Sequence, residues 1–559
     1  MKRSQLYNAF RHLSQFSVDS VQSGIKFTDL DEYMHVVRPI ENKLKEKMRE
    51  IDEEGGGIIC LVGSAGDGKS HLISRVKKEF EWDDSCYYND ATASCSPKKT
   101  AIETLKEALT EYKSENIGKT CKKLLLAINL GKLNAFIDET DVREEYKEIC
   151  DATDPIFDDI DSTPPIDSKR VKVILFTEEQ IFEFYPEKED DYPIDSMFLS
   201  EILEKIVSKN KKNPFYKAYL KDKEDEIYEK SPILLNYELL QIVEVRHTIV
   251  MTIIEAIVRF RLVITPREYL DFIYLIMIYQ KFDEYKEKKN FYDALLPSLL
   301  YNGGDNIIQD AVSRLDPLKK SNTEHDRQLS ILFTSYSIPK SFFDEHIQEN
   351  IPHALLKRIN EFYANNGKDI EPTTKFLIRL KNITNYNSNN EIYKSYILIL
   401  RGLFKKDIHT MKEIYSVVSC AIPHHYGSYL DKTNMIPLNI QGGKYKLFAY
   451  LNLKAQPIET KFSADSPNCF YLRFDMSWEV NNESKKVFLR MDYQLYSYLY
   501  KLNKGKLALS YENDKNISFC SFVRELTKYC DCNQDISVVR ADANELTLSE
   551  LSFGNIELK

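Results

Sequence analysis

The stretch that most restricts how this chain can fold is residues 56–70, GGIICLVGSAGDGKS. Its five consecutive apolar residues, Ile58 to Val62, leave no polar face. Such a run predicts a strand buried on both sides of a parallel sheet. The triple glycine at 55–57 ends the helix before it, and the glycines from 63 to 68 permit a tight turn after it. Beyond the turn, HLISRVKKEF places Leu72, Val76 and Phe80 at four-residue steps, the stripe of a helix packed on that sheet.

The turn itself carries a pattern with a chemical meaning. Gly63, Ser64, Ala65, Gly66, Asp67, Gly68, Lys69 and Ser70 fit G-x-x-x-x-G-K-[ST]. Glycines let successive N–H groups turn inward toward phosphate oxygens. Lys69 can reach the β- and γ-phosphates, the Ser70 hydroxyl can ligate Mg²⁺, and the following helix directs its positive end at the anion. A strand before the loop and a helix after it are the context this motif requires, so the chain is expected to bind ATP with Mg²⁺.

Turnover asks for more than a loop. Phosphoryl-transfer enzymes hold Mg²⁺ or orient water with further side chains, commonly an acid at a strand tip. The best apolar strand, KLLLAIN at 123–129, ends in Asn129. An amide there can orient a phosphate or a water, as a sensor does in AAA+ ATPases, but it cannot act as a base. Asp90, in YYNDA, is the nearest acid at a strand end, and together with Lys69 and Asn129 it forms the candidate catalytic set. Asp138 with Glu139, and Glu178 with Glu179, are further acids to consider. Arg267, in TPREYLDF, is a candidate for sensing nucleotide from a helical lid, beside its ordinary reading as a first-turn surface arginine.

Around this motif the chain divides by pattern. Residues 1–50 read as helical: DEYMHVVRPIENKLKEKMREID (31–52) places Val36, Ile40, Leu44 and Met48 on one stripe. Three further strands are expected, SCYYNDA (85–91), KLLLAIN and VKVILFT (171–177). A helix over PKKTAIETLKEALTEYK (97–113), with Pro97 near its start, lies between the first two of these. This alternation predicts an α/β P-loop NTPase domain, AAA+-like with a parallel sheet, over 51–194. Residues 195–440 read as a large helical region serving as lid or interaction surface. There Thr265, Pro266 and Glu268 form a strong helix start, and NNGKDIEPTTKF (365–376) reads as a loop. Residues 441–559 read as a C-terminal α+β domain. In CFYLRFDMSWEV, residues Leu472, Phe474, Met476, Trp478 and Val480 alternate with polar ones, and YKLFAYLNL and KKVFLRM are similar. A capped helix is expected between Asp492 and Gly505.

Charge and composition exclude other classes. Lys and Arg number 76 against 86 Asp and Glu, a formal charge of −10. Residues 138–161 alone hold 11 acids and two bases, so the rest of the chain is nearly neutral. A free-standing DNA binder needs clustered Lys and Arg, which this balance lacks. The acidic run reads as a solvated insertion or loop, with a docking surface for a basic partner as the alternative. MKRSQLYNAF is followed by no apolar signal core, and HTIVMTIIEAIVRFRLVI is interrupted by Glu255, Arg259 and Arg261. Neither secretion nor a membrane span is expected, and the protein is placed in the cytoplasm. The ten cysteines are scattered, with only Cys530 and Cys532 close together, and read as reduced thiols. His424 and His425 lack companions at metal-ligand spacing and read as surface or packing histidines.

The stretches LVGSAGDGKSHLISR, YYNDATASCSPKKTAIETLKEAL and LLLAINLGKLNAF together carry a family resemblance. Along them the chain resembles the DNA phosphorothioation-dependent restriction protein DptF family, also called DndF. The similarity is sharpest over roughly residues 25–185, and VKVILFTEEQIFEF fits it too. The resemblance implies a bacterial ATPase-like subunit that acts with two partners, the G and H components, in antiviral defence. Such systems restrict DNA that lacks backbone phosphorothioate, with DNA reached through the complex. By that resemblance the matching positions are the loop from Gly63 to Ser70. A non-hydrolysing nucleotide-binding scaffold of the same complex is one rival. Another is a signalling AAA+ or STAND-type ATPase of a different defence system, which would form an oligomer on binding ATP.

Overall fold

The structure is a computed structural model. It describes residues 4–15, 29–89, 100–157, 166–190, 192–224, 231–279, 291–319, 326–327, 330–332, 334, 349–364, 370–386, 388, 390–428, 433–438, 445–480, 485–509, 512–530, 536–540, 545–551 and 555–558. Asp90 and Pro97 lie outside the described residues. The chain forms two compact units, each built from separated segments. One takes residues 1–182, 196–257 and 262–387, and the other takes 183–195, 258–261 and 388–559.

The first unit opens with helices α1 (Gln5–Gln15), α2 (Asp29–Met34) and α3 (Pro39–Glu53). The single helix expected over 31–52 is broken between Met34 and Pro39. Proline pushes its predecessor out of helical geometry, and Arg38 is accordingly extended at φ −102° and ψ 153°. Pro39 then starts α3, where its missing N–H has no helical partner to lose. Ile40, Leu44, Met48 and Ile51 form the buried stripe, and Val36 is buried ahead of the helix.

After the glycines comes β1 (Gly57–Gly63), followed by α4 (Lys69–Val76), β2 (Tyr87–Tyr88), α5 (Ala101–Ala108) and β3 (Lys123–Asn129). Helices α6 (Leu130–Ile137), α7 (Thr140–Glu145) and α8 (Lys147–Thr153) lead on to β4 (Val171–Leu175). These strands make a four-stranded sheet in the order β2-β3-β1-β4, every pair parallel. The 85–91 segment contributes only two strand residues, and β4 stops at Leu175, before a 3₁₀ turn over 176–178. All seven residues of β1 are buried. Its Ile58, Cys60 and Val62 enter one core with Leu105, Leu133, Phe136 and Ile149. Its Ile59 and Leu61 enter the other with Leu44, Met48, Leu72 and Val76. Helices therefore cover both faces, which is why this strand has no polar residue.

The acidic run is not the solvated loop its charge suggests. Its described part, residues 138–157, folds as α7, α8 and a 3₁₀ turn, which place Val142, Tyr146, Ile149, Cys150 and Ala152 in the sheet core and leave most of the acids there outward, while residues 158–161 lie outside the described residues. Charge density masked a helical apolar stripe. Beyond the sheet, α9 (Met197–Val207), α10 (Pro214–Lys223), α11 (Pro232–Leu240), α12 (Val243–Phe260), α13 (Pro266–Met277), α14 (Leu296–Tyr301) and α15 (Ile307–Ser313) follow. The capping box at Thr265 is present with both of its hydrogen bonds. Of the loop expected over 365–376, residues 365–369 lie outside the described residues and the rest is helical, within Ile370–Thr384. Among the described residues no helix is long and apolar enough to cross a membrane.

The second unit is α+β. Strands β5 (Glu183–Phe184) and β6 (Ile194–Asp195) pair with each other. A five-stranded antiparallel sheet joins β7 (Met435–Pro437), β8 (Tyr445–Tyr450), β12 (Ile536–Arg540), β13 (Glu545–Leu551) and β14 (Asn555–Leu558). A three-stranded one joins β9 (Leu453–Ala455), β10 (Phe474–Val480) and β11 (Lys486–Met491). Phe474, Met476, Trp478 and Val480 are buried on alternate positions of β10. The helix Tyr493–Asn503 has Asp492 as its cap and Gly505 at φ 92° beyond its end. His425 is a packing histidine there, 2.6 Å from the Tyr498 hydroxyl.

The entry into β1 leaves no room for a side chain. A Cβ on Gly57, at φ 154°, would lie 2.5 Å from the Arg170 carbonyl oxygen and 2.7 Å from Ile51 Cδ1. Gly57→Ala is expected to destabilise the protein by about 2–4 kcal/mol, whereas Gly118→Ala, with open space around it, changes stability by less than about 0.5 kcal/mol. Calorimetric melting of both variants measures this. Equal melting temperatures would refute the close packing at Gly57.

Candidate functional site

The sheet places the loop at a crevice. Strands β1 and β3 are neighbours, yet the helices that follow them cover opposite faces, α4 with α3 on one and α6 on the other. Parallel strands whose connections diverge in this way leave an opening at their carboxyl ends, where α/β proteins bind ligands. Gly63 and Asn129, the last residues of β1 and β3, are Cα partners at that edge.

The loop runs from this edge into α4, whose first residue is Lys69 and whose N-cap is Gly68. The N–H groups of Ala65, Gly66, Gly68, Lys69 and Ser70 have no hydrogen-bond acceptor among the described residues. Ser64, Ala65 and Ser70 are exposed, so the loop is open on one side. Lys69 Nζ donates to the Ser64 carbonyl at 2.6 Å, which leaves two of its three hydrogens for another acceptor. Burial lowers the Lys69 pKa; nearby Asp67 opposes that shift and the charge of Arg267 adds to it. Burial raises the Asp67 carboxyl, against the pull of the Ser64 N–H, Lys69 and Arg38.

Helix α13 meets the loop at its tip. A Cβ on Gly66, which sits at φ 92°, would lie 2.9 Å from Thr265 Oγ1. The start of α13 thus brings Arg267 into electrostatic range of Lys69, and Glu268 into range of Asp67. Glu268 Oε2 is taken up by the capping box, accepting from the Thr265 N–H at 2.8 Å.

Asn129 has a structural task beside its candidate one. Its Oδ1 caps α6 by accepting from the Gly131 N–H at 2.9 Å, and its amide N–H groups have no partner among the described residues. At this position it can donate to a ligand oxygen. Asp138 lies at the far end of α6, about 12 Å along an eight-residue helix, where it accepts from Asn134 at 3.1 Å. Neither it nor Glu139, the exposed residue before α7, reaches the loop. Glu178 pairs with Lys43 at 2.7 Å. Glu179 is raised by burial, with Arg38 and Lys43 acting against the shift.

Arg38 is the residue that periodicity hides. Kept extended by Pro39, it donates to the Asp67 carbonyl at 2.9 Å. Its guanidinium lies 5.4 Å from the Phe176 ring centroid and 5.5 Å from that of Phe198, within cation–π range. The only sequence signal for it was the Arg-Pro step inside an otherwise helical stripe. Behind α4 runs a polar chain equally invisible to pattern. His71 Nε2 is 2.9 Å from His35 Nδ1, His35 Nε2 is 3.0 Å from Glu41, and Lys45 is 2.7 Å from Glu41. Among the described residues no group of three or more His, Cys, Asp or Glu is placed to hold a metal. The hydroxyl of Ser70 remains the loop's candidate Mg²⁺ ligand, a site that also uses phosphate and water oxygens.

No protein-family model, curated protein or solved structure matches this chain.

The polar chain makes stability depend on pH. Burial and the neighbouring His35 depress His71 from 6.5 to about 4, so between those values the unfolded chain binds the proton that the folded one refuses. Glu41 is raised by burial, but its contacts with His35 and Lys45 outweigh this and hold it at about 2, below its ordinary 4.5. Stability is therefore expected to fall as pH drops from 6.5 to 4, by on the order of 2–3 kcal/mol, and again toward 2. Chemical unfolding at a series of pH values checks this. His71→Gln should reduce the slope between pH 6.5 and 4 without abolishing it, because burial also depresses His425 to about 4; an unchanged slope would assign it to other groups.

Proposed function

We propose that Gly63–Ser70 is a phosphate-binding loop of the P-loop NTPase kind and that the chain binds ATP with Mg²⁺ there. The observation that carries this is the set of five N–H groups without acceptors among the described residues, gathered between the end of β1 and the first turn of α4. Backbone donors left open in a glycine-rich bend that leads into a helix N-terminus suit a phosphate. Lys69 would neutralise the outer phosphates, Ser70 would ligate Mg²⁺, and the bound metal would offset phosphate charge. Arg267 would sense the ligand from α13, and Asn129 would donate an amide hydrogen to an outer phosphate or a water.

We further propose, from the resemblance in the sequence, that the protein is the ATP-binding subunit of a bacterial phosphorothioation-dependent restriction assembly. It would act with the G and H components on unmodified DNA. Nucleotide binding would shift the balance between two arrangements of α13 and the loop, which meet at Gly66 and Thr265. One observation favours a second reading, in which ATP is held and not turned over. The strand beside β1 ends in an amide, Asn129, which cannot accept a proton.

Lys69→Ala is expected to weaken ATP binding about 10- to 100-fold, the range for losing a charge-assisted hydrogen bond. Titration calorimetry on the full chain reads this. Steady phosphate release that disappears in the same variant supports an ATPase; tight binding without release, alone and with partners and DNA, supports a scaffold. Binding that Lys69→Ala leaves intact would remove the loop from the account.

A further inference from the structure

The loop contains one carboxylate, Asp67, and the surrounding geometry is built to hold it. Its Oδ2 accepts the Ser64 N–H, the first donor after β1. Its main-chain carbonyl is held by Arg38 at 2.9 Å. The first glycine of the motif makes the space: a Cβ on Gly63 would lie 2.5 Å from Asp67 Oδ2 and 3.0 Å from Phe176. A carboxyl group held in place therefore sits in the loop, among donors that otherwise suit an anion. The groups facing it are Lys69 and Arg38, which attract it, and Glu268 of α13, which repels it.

We infer that Asp67 determines which charge state of the nucleotide the loop accepts, disfavouring the free triphosphate and so selecting its magnesium complex. The inference rests on the nucleotide reading above. Repulsion between Asp67 and a ligand grows with the ligand's charge, and a bound Mg²⁺ cancels two charges of the triphosphate. A loop without this carboxylate would bind the metal-free ligand readily through Lys69 and the backbone N–H groups. With it, the metal-free ligand is penalised more than the complex.

The test is Asp67→Asn in the full chain, which keeps a side-chain oxygen for the Ser64 N–H and removes only the charge. Titration calorimetry would be run with ATP in excess EDTA and with ATP in excess MgCl₂. Asp67→Asn is expected to bind ATP in EDTA about 10-fold more tightly than the wild type, and ATP with magnesium no more than about 3-fold more tightly. Equal changes in both conditions, or none, overturn the inference. Weaker binding of the magnesium complex alone also overturns it and makes Asp67 a metal contact instead. Matching melting temperatures show that the variant folds; if it does not, Asp67→Ser also lacks the charge and should show the same loss of selectivity. Lys69→Ala separates the two levels. If the wild type binds ATP, Lys69→Ala does not, and Asp67→Asn equals the wild type, the selectivity falls and the nucleotide site stands. If neither the wild type nor Asp67→Asn binds ATP, both fall.

Discussion

Strand β1 has no exposed face and no free edge, and the candidate site depends on that. It pairs with β3 on one side and β4 on the other, and its residues alternate between two cores. Such a strand can neither slip in register nor tilt without opening both cores. Its last residue, Gly63, is therefore a fixed point, and the loop that leaves it starts from a known place beside Asn129. A loop on a strand covered on one side only would lack this anchorage.

Three elements then shape the loop from outside. The extended Arg38 holds the Asp67 carbonyl, the start of α13 touches Gly66, and α4 begins at Lys69. Within the loop, the Ser64 peptide is engaged at both ends, its N–H by Asp67 and its carbonyl by Lys69. Opposite charges thus meet within the loop, Asp67 and Lys69 each bonded to Ser64. Burial pushes both Asp67 and Lys69 toward their neutral forms, and each is kept charged in part by the other.

Much of this was legible in the residues. The unbroken run Ile58–Val62 required a strand with two covered faces, and β3 has the limits its pattern indicated. The Thr265, Pro266 and Glu268 start of α13 was equally clear, because caps are local hydrogen-bond chemistry. Other features were misread where two local signals compete. Apolar spacing joined Val36 to Ile40 across Arg38-Pro39, although proline excludes helical geometry before it. Charge density made 138–161 look solvated, although Val142, Tyr146 and Ile149 lie in the core. The polar stretch NNGKDIEPTTKF read as a loop, although its residues from Ile370 on are helical.

By itself, the sequence determined the loop's residues, the strand that leads to it, the helix that follows and the cap of α13. All of these arise from contacts within a few residues, where spacing and side-chain chemistry suffice. Only the tertiary structure decided that Asn129 lies beside Gly63, that Arg38 reaches Asp67, and that Thr265 meets Gly66 across about 200 residues of chain. Those meetings follow from sheet order and from packing on both faces of the sheet. No periodicity encodes them, because they depend on where distant segments come to rest against one another.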